Sequence, residues 1–213
     1  MHAPRIETFM LPGPAGRLEC FLKTPSGAPA RAAAVVCHPH PLFGGTLHNK
    51  VVHAAAEALV GLGLPALRFN FRGAGRSAGT HDAGRGESDD LRAVLDEAAR
   101  RFPGAPLLIA GYSFGAYVGL GVGCHDPRVA ALIGIAAPAG IYDFGFLREC
   151  AKPLTLIHGE ADPLAPLGLI LTLAAALPQG ARVVPIAGAA HNFSGHLDAL
   201  AARVAEAVPE SLR

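Results

Sequence analysis

The chain has 213 residues, of which 51% are hydrophobic and 16% charged, and its formal net charge is +1. This composition excludes a disordered tail and a coiled coil, and the balanced charge lacks the basic excess of a nucleic-acid binder. The length suits a single domain over residues 1–213, large enough to bury a core without disulfides or metal.

Ile6–Met10 and Leu18–Leu22 flank Pro12-Gly13-Pro14-Ala15-Gly16 and predict an N-terminal β-hairpin. Ala32–His38 reads as a buried strand. Asn49–Leu62 reads as a helix with an asparagine cap that ends near Gly63. Leu64–Phe71 is the next strand, followed by a turn-rich basic segment. Glu87–Phe102 is an amphipathic helix with acids early and Arg100 and Arg101 late, matching the helix dipole. Pro106–Gly111 is a strand and Phe114–Cys124 a glycine-rich helix. Val129–Ala137 and Pro153–His158 are strands, and Leu167–Leu177 is a helix. Ala181–Ile186 is the last strand and Ser194–Val208 the last helix. Pro185 cannot donate a ladder hydrogen bond, so the last strand belongs at a sheet edge. The alternation predicts a mostly parallel twisted sheet with helices on both faces.

Mean hydropathy is +0.34. The longest apolar run is Leu164–Leu177, too short for a bilayer and broken by Pro166, so no membrane association is expected. The four cysteines are scattered and form no C-x-x-C pair, and no secretory signal is visible. Free thiols in a cytoplasmic protein are the expectation.

In parallel sheets, ligands meet the carboxyl ends of the strands. After the strand Pro106–Ala110 comes Gly111-Tyr112-Ser113-Phe114-Gly115. G-x-S-x-G between strand and helix is the pattern that lifts a serine hydroxyl above a sheet. The glycines leave room for the turn, and the next backbone N–H points at the same spot. Ser113 is therefore the candidate nucleophile, and it needs a base and an orienting carboxylate downstream. The strand ending at His158 runs into Glu160 and Asp162. The last strand runs into His191, with His196 a more distant second.

These segments, with His38-Pro39-His40-Pro41-Leu42-Phe43-Gly44-Gly45 and Arg68-Phe69-Asn70-Phe71-Arg72-Gly73-Ala74-Gly75-Arg76-Ser77, resemble the α/β-hydrolase superfamily. Within it the chain is similar to small, lidless serine hydrolases near the dienelactone-hydrolase branch, from about residue 5 to about residue 208. The resemblance implies the α/β-hydrolase fold without a cap domain. Only a short loop or one helical turn fits between the strands ending at Ala137 and starting at Pro153. True dienelactone hydrolases carry a cysteine nucleophile where this chain has Ser113, so their substrate is not carried over.

The resemblance assigns Ser113 as nucleophile, Asp162 rather than Glu160 as the orienting acid, and His191 as base. One oxyanion donor is the Phe114 N–H. The second comes from His40 or Leu42, because Pro39 and Pro41 have no N–H. Arg72, with Arg76 as alternative, is a candidate grip for a substrate carboxylate. Tyr112 adjoins the nucleophile as a substrate-side candidate, packing being its simpler role. His38 and His40 share one side of an extended segment, but no third ligand has a diagnostic spacing, so no metal is expected. The expected activity is cleavage of small carboxylic esters or thioesters through an acyl-enzyme, with no cofactor. A small acyl-peptide hydrolase and a non-catalytic ligand-binding protein are the alternatives. The expected assembly is a monomer or homodimer.

Overall fold

The computed structural model describes residues 3–27 and 29–213. A turn at Pro14-Ala15 closes an antiparallel hairpin of β1 (Arg5–Gly13) and β2 (Gly16–Thr24). The remaining strands are β3 (Ala33–Cys37), β4 (Ala66–Phe69), β5 (Leu107–Tyr112), β6 (Val129–Ile135), β7 (Leu154–Gly159) and β8 (Arg182–Ile186). The helices are α1 (Lys50–Gly61), α2 (Arg85–Arg101), α3 (Phe114–His125), α4 (Leu167–Ala175) and α5 (Leu197–Ala207). The sheet runs β1-β2-β4-β3-β5-β6-β7-β8. β2 meets β4 antiparallel, and every pair from β4 to β8 is parallel. Pro185 lies on β8, the edge strand.

Period-two alternation sorts the core into two layers. In β3, Ala33, Val35 and Cys37 face one layer, while Ala34 and Val36 face the other. In β5, Leu107 and Ile109 join the first, and Leu108 and Ala110 the second. Helices α2 and α3 close the first layer through Leu91, Val94, Leu95, Ala116 and Leu120. Helices α1 and α5 close the second through Val52, Ala55, Leu59, Leu200 and Val204. The chain between β6 and β7 holds one 3-10 turn, Gly145–Glu149, and no cap.

Three helix boundaries depart from the sequence reading by two residues or more. Helix α2 begins two residues before Glu87, because the Glu87 carboxylate reaches back to the Gly84 N–H and secures the extra turn. Helix α4 ends at Ala175 rather than at Leu177. Helix α5 begins at Leu197 rather than Ser194, because Phe193 and Gly195 take positive φ (50° and 78°) that no helix admits.

Candidate active site

The loops after β3, β5, β6, β7 and β8 share the carboxyl rim of the sheet. Ser113 sits between β5 and α3 with φ 55° and ψ −120°, a conformation costly for an L-residue. Neighbouring bonds hold it there. Its N–H donates to Ile135 O at 2.9 Å, and its carbonyl accepts from Ala116 N–H at 2.8 Å and Tyr117 N–H at 3.2 Å. The flanking glycines are required by space. A Cβ on Gly115 would lie 2.4 Å from His38 O, and one on Gly111 2.2 Å from Gly115 O.

His191 Nε2 lies 3.0 Å from Ser113 Oγ, and His191 Nδ1 lies 2.7 Å from Asp162 Oδ2. With Nδ1–H donating to the carboxylate, Nε2 presents its lone pair to the serine hydroxyl. Asp162 is buried, and its other oxygen accepts from Leu164 N–H at 2.9 Å and Ala165 N–H at 3.0 Å. Burial alone would raise its pKa. The His191 bond and charge and the two backbone donors outweigh burial and hold the carboxyl below the usual carboxylate range. His158, wholly buried on β7, donates from Nε2 to Ala165 O and so fastens the loop that carries Asp162. Burial lowers its pKa against the opposing pull of Ala165 O and Asp162, which keeps the ring neutral.

The order Ser113, Asp162, His191 thus converges in space. Glu160 remains exposed, with its N–H on Ile186 O, and His196 caps α5 with its Nδ1 3.1 Å from Ser194 O.

The β3 loop is built around His38. Its Nε2 accepts from Phe71 N–H at 2.9 Å, and Nδ1–H donates to Pro39 O at 2.6 Å. Both ring nitrogens are engaged, so neither can ligate a metal. Burial, only partly offset by the Pro39 bond, lowers the His38 pKa to about 4. Beyond it, Leu42 N–H donates to His40 Nδ1 at 3.2 Å inside a 3-10 turn, Pro41–Phe43. The N–H groups of His40 and Phe114 take no partner among the described residues.

Two substrate-side candidates are committed elsewhere, which corrects the sequence reading. The Arg72 guanidinium forms a two-point pair with Asp90 on α2, at 3.0 and 2.8 Å, so its fork is not open to a substrate carboxylate. Arg76 lies on an exposed turn, its N–H on Glu19. Tyr112 is buried, and its hydroxyl donates to His191 O at 3.1 Å, with the rings 5.5 Å apart. Burial and the nearby Asp162 charge push the phenol up to about 12, so it stays protonated and braces the His191 loop.

Sequence reasoning missed a histidine–carboxylate contact on the same rim. Glu87 is fully buried and accepts from Asp82 N–H at 3.0 Å and Gly84 N–H at 2.8 Å. His81 Nδ1 lies 2.7 Å from Glu87 Oε1, and its ring packs 4.5 Å from His40 and 5.4 Å from Phe114. The one signal for it was the spacing Gly84-x-x-Glu87, that of a helix start. Tyr142, in the loop between β6 and β7, lies 5.9 Å from the Phe114 ring and stacks at 4.5 Å on Tyr117.

A serine on a left-handed strand-to-helix elbow, above a mainly parallel sheet with helices on both faces, defines the α/β hydrolases. A family model described as serine aminopeptidase, S33, matches residues 28–144, more than half of the chain. An α/β serine hydrolase without a lid from Xanthomonas campestris is 37% identical, with a TM-score of 0.90 over 96% of this chain and 94% of that one. A dienelactone hydrolase from Anabaena variabilis shares the fold at 20% identity, with a TM-score of 0.83 and all of both chains covered. An uncharacterized protein of Rickettsia prowazekii is 40% identical over 157 residues, 71% of this chain. The match spans 65% of that relative's length. The chain belongs to this family of lidless α/β serine hydrolases.

Proposed function

We propose that the protein is a serine esterase that cleaves small carboxylic esters or thioesters, working as one domain across residues 1–213. The observation that carries this reading is the unbroken chain of contacts from Ser113 Oγ through His191 to Asp162, at 3.0 and 2.7 Å. Ser113 attacks the acyl carbon as its proton passes to His191 Nε2. Asp162 holds the tautomer and stabilises the imidazolium that forms. The Phe114 and His40 N–H groups receive the oxyanion. His40 is chosen over Leu42 because the Leu42 N–H already donates within its own loop. Collapse of the tetrahedral intermediate expels the alcohol or thiol, protonated by His191, and leaves an acyl-serine. Water, deprotonated by His191, then releases the acid and regenerates Ser113.

No step calls for a metal or organic cofactor. Among the described residues no helix is long and apolar enough to cross a membrane, and the four cysteines are free and buried. The free thiols fit a reducing compartment, and the proposal is completed by action on small molecules in the cytoplasm, as a monomer or homodimer.

The test is turnover of a panel of p-nitrophenyl esters and acyl thioesters by wild type and Ser113→Ala. Loss of turnover by several orders of magnitude in the variant is expected, and near-wild-type rates would remove Ser113 from the mechanism. The family's description favours a second reading, cleavage of an N-terminal aminoacyl bond. Faster turnover of aminoacyl p-nitroanilides than of esters would favour it.

A further inference from the structure

Seven large apolar side chains are exposed among the described residues, and their distribution is uneven. Four of them, Leu42 (68% exposed), Phe43 (86%), Ile141 (63%) and Leu164 (57%), stand on three loops at the carboxyl rim. Each adjoins a group that touches the Ser113 machinery. The Phe43 ring lies 4.8 Å from His40, whose ring lies 4.9 Å from Phe114. Leu164 donates its N–H to Asp162. Ile141 precedes Tyr142, which packs on Phe114. Scattered single exposed leucines need no explanation, but a group of apolar side chains around one site does.

We propose that Leu42, Phe43, Ile141 and Leu164 form an open apolar collar that receives an aliphatic arm of the ester, on its acyl or its alkoxy side. The inference rests on the esterase reading above. With no cap over the site, these side chains are apolar surface open to a chain leaving the reacting carbon. A small-molecule occupant fits better than a second copy of the chain. Leu42, Ile141 and Leu164 each offer roughly 100 Å² and Phe43 roughly 180 Å². Together they fall well below the ~800 Å² per partner that a stable dimer interface uses. A partner seated on the collar would also cover Ser113.

The experiment compares wild type, Phe43→Ser, Leu164→Ser and the double variant Leu42→Ser/Ile141→Ser. All four positions are exposed, so the fold has little to lose, and acetate hydrolysis serves as the internal control. One series is p-nitrophenyl acetate, butyrate, hexanoate and octanoate. The other holds the acetyl group constant and lengthens the alcohol. In wild type, kcat/KM should climb with chain length in at least one series. In Phe43→Ser the long-chain rate should fall about tenfold, equivalent to ~1.4 kcal/mol, mainly through KM, with acetate unchanged. Equal losses at every chain length would overturn the collar, as would a flat wild-type profile. So would variants that turn a dimer into a monomer while leaving the length profile intact. If wild type labels at Ser113 but turns over no ester of any length, the esterase reading fails first and the collar with it.

Discussion

His38 offers a quantitative test of the site's scaffold. Its ring is neutral, wholly buried and bonded at both nitrogens, with a pKa lowered from 6.5 to about 4. In the unfolded chain the ring takes up a proton as pH falls through 6.5, whereas in the folded protein it does so only near 4. The folded state is therefore fully favoured above 6.5, and that advantage is lost progressively down to about 4. At about 1.4 kcal/mol per pH unit of separation, the loss is roughly 3 kcal/mol. His38→Gln keeps an acceptor within reach of Phe71 N–H but does not titrate. Urea unfolding of both proteins from about pH 7.5 to about pH 4 measures the difference in slope. The variant should begin ~1–2 kcal/mol less stable, for the lost Pro39 bond. It should then lose roughly 3 kcal/mol less than wild type across the window. His158, also lowered by burial, contributes in the same direction to both proteins, so the comparison cancels it. Asp162 is lowered, so its contribution is present above the ordinary carboxylate pKa of 3.8 and fades only at lower pH. Parallel pH slopes for wild type and His38→Gln would refute the argument.

Asp162→Asn should cut kcat on the order of 10⁴-fold while leaving the fold intact, because the amide favours the wrong His191 tautomer; steady-state kinetics and circular dichroism together check both halves. Gly115→Ala should fail to accumulate as folded protein, since its Cβ would lie 2.4 Å from the His38 carbonyl; a normal melting curve would contradict this. Tyr112→Phe removes the hydroxyl that holds the His191 carbonyl. It should cost about 1 kcal/mol of stability and lower kcat more than it changes KM, whereas unchanged kcat would deny the bracing role.

The features legible in the sequence were local ones. The elbow at Gly111–Gly115 announces itself because both steric requirements fall within five residues. The alternation in β3 and β5 is legible because a two-sided sheet demands it. Chain order and position after strands pointed to His191 and to the loop holding Glu160 and Asp162, and the family resemblance chose Asp162 between the two. What escaped depends on partners distant in sequence. Arg72 looked available because Asp90, its partner, lies 18 residues on, in α2. His40 and Leu42 were indistinguishable until the 3-10 turn at Pro41–Phe43 showed which N–H is already engaged. Tyr112 sits beside the nucleophile in sequence, yet its hydroxyl reaches a loop 79 residues on. The late start of α5 depends on positive φ at Phe193, for which a phenylalanine gives no warning.

The central claim is that Ser113 is an activated nucleophile. Its most direct test treats folded wild type and Ser113→Ala with a fluorophosphonate and weighs both by intact mass spectrometry. One adduct on wild type and none on the variant is the predicted result. An unlabelled wild type, or equal labelling of the two, would contradict the account.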